Sequence, residues 1–254
     1  MSQRLINPGK KQGMNGQTLR LWALIIAGSG VFAHSVLQKM STIYGTEFGM
    51  ATIGAILQLI SICAVPLFCF LLVEGVQHTK CYWKYFLRVL GLAVVCEVPY
   101  DLIFCKKAFY WGSQNPVLGL AVAMVMLYII KSYAGKGIKS VLINIVAVVM
   151  AATWVDIIHV AEGLPIIFIV ATFWFARKKK AAQIFVGAIV ICMCSMLSLD
   201  PKNPVENLDY LLAPMAVVLL QFYNGEPGEG NKLINYAAYP AIMMACWLIA
   251  RFAF

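Results

Sequence analysis

The sequence predicts an all-α fold, a polytopic integral membrane bundle of about nine transmembrane helices with a cytoplasmic N-terminus. Three observations predict it. Hydrophobic residues make up 61% of the 254 positions and charged residues 12%, whereas a soluble domain carries about a quarter charged residues. The apolar residues gather into runs close to the roughly 20 residues that cross a bilayer. The 20 Lys and Arg residues cluster in the short stretches between those runs, the arrangement that sets membrane topology. The net charge of +9 is therefore read as a topology signal, and nucleic acid is not expected as a partner.

Taken in order, residues 1–19 are a polar, basic tail holding Arg4, Lys10 and Lys11. It is expected to be a tail and not a signal peptide, because the apolar run behind it is long enough to span and has no small-residue cleavage site. Residues 20–254 form a single transmembrane domain. Its first span is 20–38, with His34 inside it. The second, 49–76, contains Pro66 as a kink. Then come 84–104, and 116–134 opened by Asn115 and Pro116. The fifth is 138–158. The sixth, 163–176, is short for a full crossing. The last three are 181–199, 208–223 and 234–252. With the N-terminus inside, the clusters Lys80–Arg88, Lys131–Lys139 and Arg177–Lys180 all fall on the cytoplasmic side, as the positive-inside rule demands. An odd number of spans puts the C-terminus outside. The eight cysteines form no C-x-x-C pair; Cys63, Cys69, Cys96, Cys192, Cys194 and Cys246 lie in apolar segments and read as small buried hydrophobes.

Ionisable residues inside spans are costly in a bilayer, which makes them functional candidates. Glu74 lies four residues before His78, and Glu97 four before Asp101. On a helix that spacing puts each pair on one face. The charge rule sends His34, Glu97, Asp101, Gln114, Asn115, Asp156, His159 and Glu162 towards the outer ends of their spans. It sends Glu74, His78, Arg88, Tyr223, Asn224 and Gly225 towards the inner ends. Neutral imidazole suits proton abstraction. No H-E-x-x-H site, phosphate-binding loop or G-x-S-x-G elbow is present, and no metal is expected. Gly28-Ser29-Gly30 lies in an apolar span and reads as helix packing. The stretch Phe222–Gly230, FYNGEPGEG, reads as a turn.

Phe70, Leu71, Leu72, Val73, Glu74, Gly75, His78 and Thr79, then Tyr85, Arg88, Glu97, Pro99 and Asp101, form a pattern that resembles the TraX family of bacterial conjugal-transfer membrane proteins. The resemblance continues through Gln114-Asn115, Tyr223-Asn224-Gly225 and Tyr239-Pro240, in order, over roughly 20–252. Two positions depart from the family pattern. The family's first span carries Asp-His, here Ala33-His34. A histidine follows two residues after the Tyr-Pro proline, here Ile242.

The resemblance implies a membrane acetyltransferase or other acyltransferase. It would take acetyl-CoA as co-substrate and modify an amine or hydroxyl of an envelope or pilin-type acceptor. It implies a multi-pass place in the bacterial inner membrane, with lipid around it and the oligomeric state open. His34 would be the general base, assisted by Glu97 or Asp101. Glu74, His78, Lys84, Arg88, Gln114, Asn115, Tyr223 and Asn224 would bind substrate or cofactor, with Lys84 and Arg88 meeting phosphates and Glu74 orienting His78. Two alternatives come from other classes. One is a small proton- or cation-coupled transporter using the same intramembrane acids. The other is a non-catalytic assembly factor for conjugation or secretion.

Overall fold

A computed structural model describes residues 13–44, 48–135, 137–197 and 212–253. The first twelve residues of the tail, the end of the seventh predicted span and the start of the eighth lie outside them. Among the described residues all the regular structure is helical: α1 Gly16–Phe32, α2 Gln38–Tyr44, α3 Phe48–Ser61, α4 Ala64–His78, α5 Tyr82–Tyr100, α6 Pro116–Ser132, α7 Ile138–Ile157, α8 Gly163–Ala176, α9 Lys180–Leu197, α10 Met215–Gln221 and α11 Lys232–Phe252. Each predicted run lies on helix where it is described. Three helical stretches are long and apolar enough to cross a membrane, Gly16–Tyr44, Gly49–His78 and Ile138–Ile157.

Local chemistry sets the boundaries. Asn15 caps α1, its side chain accepting from the Thr18 N–H at 2.9 Å, and Asn115 caps α6 with Pro116 behind it. The break between α3 and α4 falls at Ile62-Cys63. Pro66 has no N–H to give the carbonyl of Ile62 four residues back, so the α ladder cannot run through. The Ile62 carbonyl takes the Val65 N–H instead, at 3.1 Å. Two five-residue π turns widen the helices. Ala33–Leu37 joins α1 to α2, and Asp101–Cys105 extends α5 just past Pro99. The two π turns pack against each other.

The short sixth segment is the centre of the bundle. Helix α8 packs on α4, α6, α7 and α9, and nine of its 14 residues are buried. At 1.5 Å per residue it is about 21 Å long, short of a bilayer core of roughly 30 Å. Being wrapped in protein, it needs no hydrophobic match to lipid. Gln183 of α9 fastens to it, donating from Nε2 to the Phe173 carbonyl at 3.1 Å. Helix α7 is the opposite case, with Ile138, Val141, Leu142, Ile145, Val149 and Trp154 all exposed along one apolar face.

Contacts at the helix termini show that the chain runs up and down. At one end the start of α1 meets the end of α10, where Met14 N–H reaches the Phe222 carbonyl at 2.7 Å and Asn224 N–H reaches the Met14 carbonyl at 2.9 Å. Gln17 and Asn235 exchange two amide hydrogen bonds of 2.8 Å at the same end, tying in the start of α11. Lys180, opening α9, donates to the carbonyls of Gln221 and Tyr223 at 2.9 and 2.7 Å. These are carbonyls that the end of α10 leaves without helical partners. At the other end Gln114, before α6, pairs with the segment after α7, its N–H on the His159 carbonyl at 2.8 Å.

Candidate functional site

Between these two ends lies a cavity of about 420 Å³ bordered by α1, α3, α4, α5, α6, α8 and α11. Its lining follows α1 from Arg20 through Leu24, Ala27, Gly30 and Val31 to His34. Fourteen residues of helix at 1.5 Å each make that path about 21 Å long. The middle is apolar, formed by residues such as Val65, Phe68, Leu72, Val89 and Leu120. Polar groups gather at the extremities. Tyr85, Asn235 and Tyr236 stand with Arg20 at one end, Tyr100 and Glu162 with His34 at the other, and Tyr239, Gln58 and Ser61 also reach the lining.

Small residues make the space. A side-chain carbon at Gly30 would fall 2.3 Å from Ser61, so α1 and α3 cross closely only because residue 30 has none. A carbon at Gly75 would fall 2.5 Å from the Tyr85 hydroxyl. Glycine there lets the tyrosine lie against α4 and line the cavity. The glycine in the Glu74-Gly75 motif and the tyrosine at 85 are thus two halves of one contact.

His34 sits in the first π turn and stacks on Phe104 of the second, with ring centroids 4.6 Å apart and planes at 28°. Phe104 in turn lies 4.8 Å from the Tyr100 ring at 30°. The imidazole is therefore oriented by an aromatic stack that joins the two widened turns. Such π turns cost helical regularity and occur frequently at functional sites.

Glu97 and Asp101 lie at the His34 end, outside the cavity lining, and hold backbone in place. Asp101 is 1% exposed, and its Oδ2 accepts from the Tyr110 N–H at 2.7 Å. Oε2 of Glu97 accepts from the side-chain amide of Asn115. Asn115, also 1% exposed, donates from Nδ2 to the Ala93 carbonyl at 2.9 Å and accepts from the Val117 N–H at 3.0 Å. The two acids thus fasten the loop between α5 and α6. Oε1 of Glu97 and Oδ1 of Asp101 are buried acceptors without a hydrogen-bond partner among the described residues. Gln114 is half-buried and pairs through its backbone with His159 and Ala161.

The remaining predicted site residues are at the Arg20 end, also outside the lining. Glu74 accepts from the Tyr223 hydroxyl at 3.2 Å and lies 3.5 Å from Nδ1 of His78, which also meets the Glu74 carbonyl at 2.9 Å. The His78 side chain is 57% exposed against 19% for Glu74. Tyr223 packs edge-on against Phe70, centroids 5.3 Å apart, and Asn224 holds the start of α1. Lys84 and Arg88 are exposed. Asp156 and His159 are exposed too and border a separate hollow of about 300 Å³ that shares Glu162 with the main cavity.

Sequence reasoning did not single out Arg20, Gln58, Ser61 or Tyr236 as site residues. Arg20 reads in sequence as one more basic residue before the first span. What distinguishes it is the cavity, in which it is the only Lys or Arg among the described lining residues. The two departures from the family pattern are both interior. Ala33 is 1% exposed, and Ile242 of α11 faces Gly28 of α1. Among the described residues no group of three or more His, Cys, Asp or Glu side chains is arranged to hold a metal ion.

Comparison with known proteins agrees with the pattern read from the motifs. The chain is 26% identical over 200 residues to a probable fimbrial assembly protein FimC, serogroup H1, of Dichelobacter nodosus, covering 72% of this chain and 78% of that one. No solved structure matches it. The family model described as TraX protein matches residues 32–250, a match that takes in His34, the Glu74–His78 and Glu97–Asp101 pairs and Tyr239-Pro240, and the chain belongs to the TraX family.

Proposed function

We propose that this protein is a nine-span inner-membrane acyltransferase. It moves an acetyl group from acetyl-CoA to an amine or hydroxyl of an envelope or pilin-type acceptor. The observation that carries this reading is the cavity that follows α1 from a cationic end to an imidazole. It offers a donor arm a path with an apolar middle through the bundle and has an imidazole at its far end. The positive-inside rule sets the Arg20 end, with Lys80, Lys84, Arg88, Lys131 and Lys139, in the cytoplasm. The donor enters there, and the acceptor reaches His34 from the other side.

In the transfer, the acceptor nitrogen or oxygen attacks the thioester carbonyl as His34 takes its proton. The carbon–sulfur bond then breaks, and the thiolate leaves and recovers that proton from the imidazolium. Each proton removed is returned and no oxidation state changes, so the step balances without an oxidant. Phe104 keeps the ring in register, and Asp101 and Glu97 hold the π turn and loop that carry Phe104.

Mass spectrometry of pilins and surface polymers from cells with and without the gene tests the reading. A 42 Da increment (about the mass of an acetyl group replacing hydrogen) that disappears with the gene supports it. Labelled acetyl-CoA and purified protein should then reproduce the transfer. A second reading draws on a specific observation, that the family's acid and second histidine are replaced by Ala33 and Ile242. A non-catalytic assembly factor would show no acetyl transfer, yet its deletion would still reduce pilus or fimbrial assembly.

A further inference from the structure

The loop between α5 and α6 carries an inference that lies outside acyl transfer and rests only on the topology proposed above. Its backbone is tied down at several points. Lys106 takes the left-handed conformation, with φ 55°, that turns the chain out of the second π turn. The Lys107 N–H reaches the Asp101 carbonyl at 3.3 Å, and the Tyr110 N–H reaches the buried Asp101 carboxylate at 2.7 Å. The Lys107 ammonium lies over the Tyr110 ring, 4.7 Å from its centroid. A side-chain carbon at Gly112 would fall 2.6 Å from that ring, so glycine lets the tyrosine fold back along its own loop. Tyr100 and Ser113 share a hydroxyl hydrogen bond of 3.2 Å. A loop held this firmly nevertheless leaves its two largest apolar side chains outside. Phe109 is 72% exposed and Trp111 87%. Rings left in water forgo the burial that drives folding, so a loop built to present them needs an apolar neighbour.

The helix behind the loop says what that neighbour is. Leu87, Val94 and Val95 are exposed along α5, an apolar stripe that leads up to the loop. From Trp83 to Cys105 the helix is continuous, about 33 Å at 1.5 Å per residue, against a bilayer core of roughly 30 Å. Trp83, exposed at the cytoplasmic end with its ring 5.3 Å from that of Tyr128, stands at one interface. Phe109 and Trp111 stand at the other. Aromatic rings at both ends of a span mark headgroup level. Charge narrows the partner further. Lys and Arg are depleted from outer loops, yet Lys106 and Lys107 stand here together, both exposed. Among the described residues no carboxylate forms an ion pair with either. We propose that the Lys106–Trp111 loop is a binding surface for an anionic phospholipid of the outer leaflet, with the lysines on the phosphate and Phe109 and Trp111 in the acyl boundary. A zwitterionic lipid offers the same phosphate, but its own cation offsets it. The loop adjoins Phe104, which stacks on His34, so the lipid surface begins at the His34 end of the cavity.

The test uses full-length protein in nanodiscs and no acyl donor, so its result is independent of whether the protein transfers acetyl groups. The emission lost in Trp111→Phe isolates Trp111. In discs of phosphatidylcholine brominated high on the acyl chain, that emission should fall at least twofold, and acrylamide in the water should leave it nearly unchanged. Native mass spectrometry then reads the headgroup. The native protein should hold one phosphatidylglycerol at least fivefold more tightly than the double variant Lys106→Gln, Lys107→Gln, with phosphatidylcholine retention of the two within twofold. All three substituted side chains are exposed, and melting in phosphatidylcholine discs should nearly match the native protein. Trp111 emission quenched by acrylamide and untouched by bromolipid would overturn the proposal, placing the loop in water as a surface for a soluble partner. Equal phosphatidylglycerol retention by the native protein and the folded double variant would overturn it as well, by removing the anionic headgroup.

Discussion

The two ends of the bundle use side-chain pairs of identical spacing, Glu97–Asp101 and Glu74–His78, in different ways. At the His34 end, Glu97 and Asp101 turn into the protein, where an amide and a backbone N–H take one oxygen of each. At the Arg20 end, Glu74 and His78 stay near the rim, meeting each other and one tyrosine. The spacing of four residues dictates a shared face in both cases. What differs is what the face meets. Helix α5 continues beyond Pro99 into a π turn, and the loop after it folds back over the carboxylates. Helix α4 ends at His78, one turn after Glu74, and that last side chain stays largely exposed. A shared face is a local property, whereas a buried acid needs a second piece of chain to supply donors.

That difference predicts which changes stop chemistry and which loosen structure. The largest effect is expected at His34. If the cavity side of this end does the chemistry, His34→Ala should lower acetyl transfer by about a hundred- to ten-thousandfold, the usual share of a general base, or roughly 3–5 kcal/mol of barrier. The melting temperature should change little, since the ring is only half-buried. Rates for labelled acetyl transfer in membranes, normalised to inserted protein, check it. A variant within twofold of native would take the imidazole out of the mechanism.

Next comes Asn115→Ala, which sharpens the contrast from the structural side. It removes the α6 cap and strips donors from Ala93 and Glu97 together. A lost cap costs about 0.5–2 kcal/mol, and each stranded buried acceptor roughly 1–3 kcal/mol. Stability should fall by about 3 kcal/mol or slightly more in a denaturant titration. Protein that remains folded should keep most of its turnover.

Much of this contrast is legible in the sequence. Composition and run length give the helical bundle, and each of the nine runs is helical where described. Pro66 reads as a kink, and the helix breaks four residues before it, at the carbonyl to which it cannot donate. The sorting of polar residues between two ends also holds. His34 and Glu97 share one end, Glu74 and Tyr223 the other. What stayed hidden was which groups face the cavity. Arg20 is indistinguishable in sequence from Lys84 or Arg88, because a positive residue near a span reads as a topology signal wherever its side chain points. The π turns were hidden too. A change from four- to five-residue hydrogen bonding leaves no reliable composition, and only Pro99 hinted at the second. The stack of Phe104 on His34 joins positions 70 residues apart, beyond any periodicity.

A smaller effect is expected at Gly75, which couples α4 to the Arg20 mouth. Gly75→Ala drives a methyl group into the Tyr85 ring. Overpacking of this kind costs about 1–3 kcal/mol, at the lower end here because the tyrosine can swing at its tip. The useful measurement is KM for acetyl-CoA against kcat. If Tyr85 closes the donor mouth, KM should rise several-fold with kcat nearly unchanged, and an effect confined to kcat would separate Gly75 from the donor path.

The smallest effect should come from Glu74→Gln, the substitution that most directly contrasts with Asn115→Ala. Glutamine keeps an oxygen for the Tyr223 hydroxyl, so the bond between α4 and the end of α10 survives in neutral form. What disappears is the charge opposite His78. With the imidazole 57% exposed, water screens that pair, and exposed pairs contribute about 0–1 kcal/mol. A shift below about 1 kcal/mol in the denaturant midpoint is therefore expected. Tyr223→Phe should match or exceed it, because it strands the Glu74 oxygen and not merely its charge. If E74Q instead destabilises the protein as much as N115A, Glu74 is held as tightly as Glu97, and the contrast between the two ends fails at its weakest point.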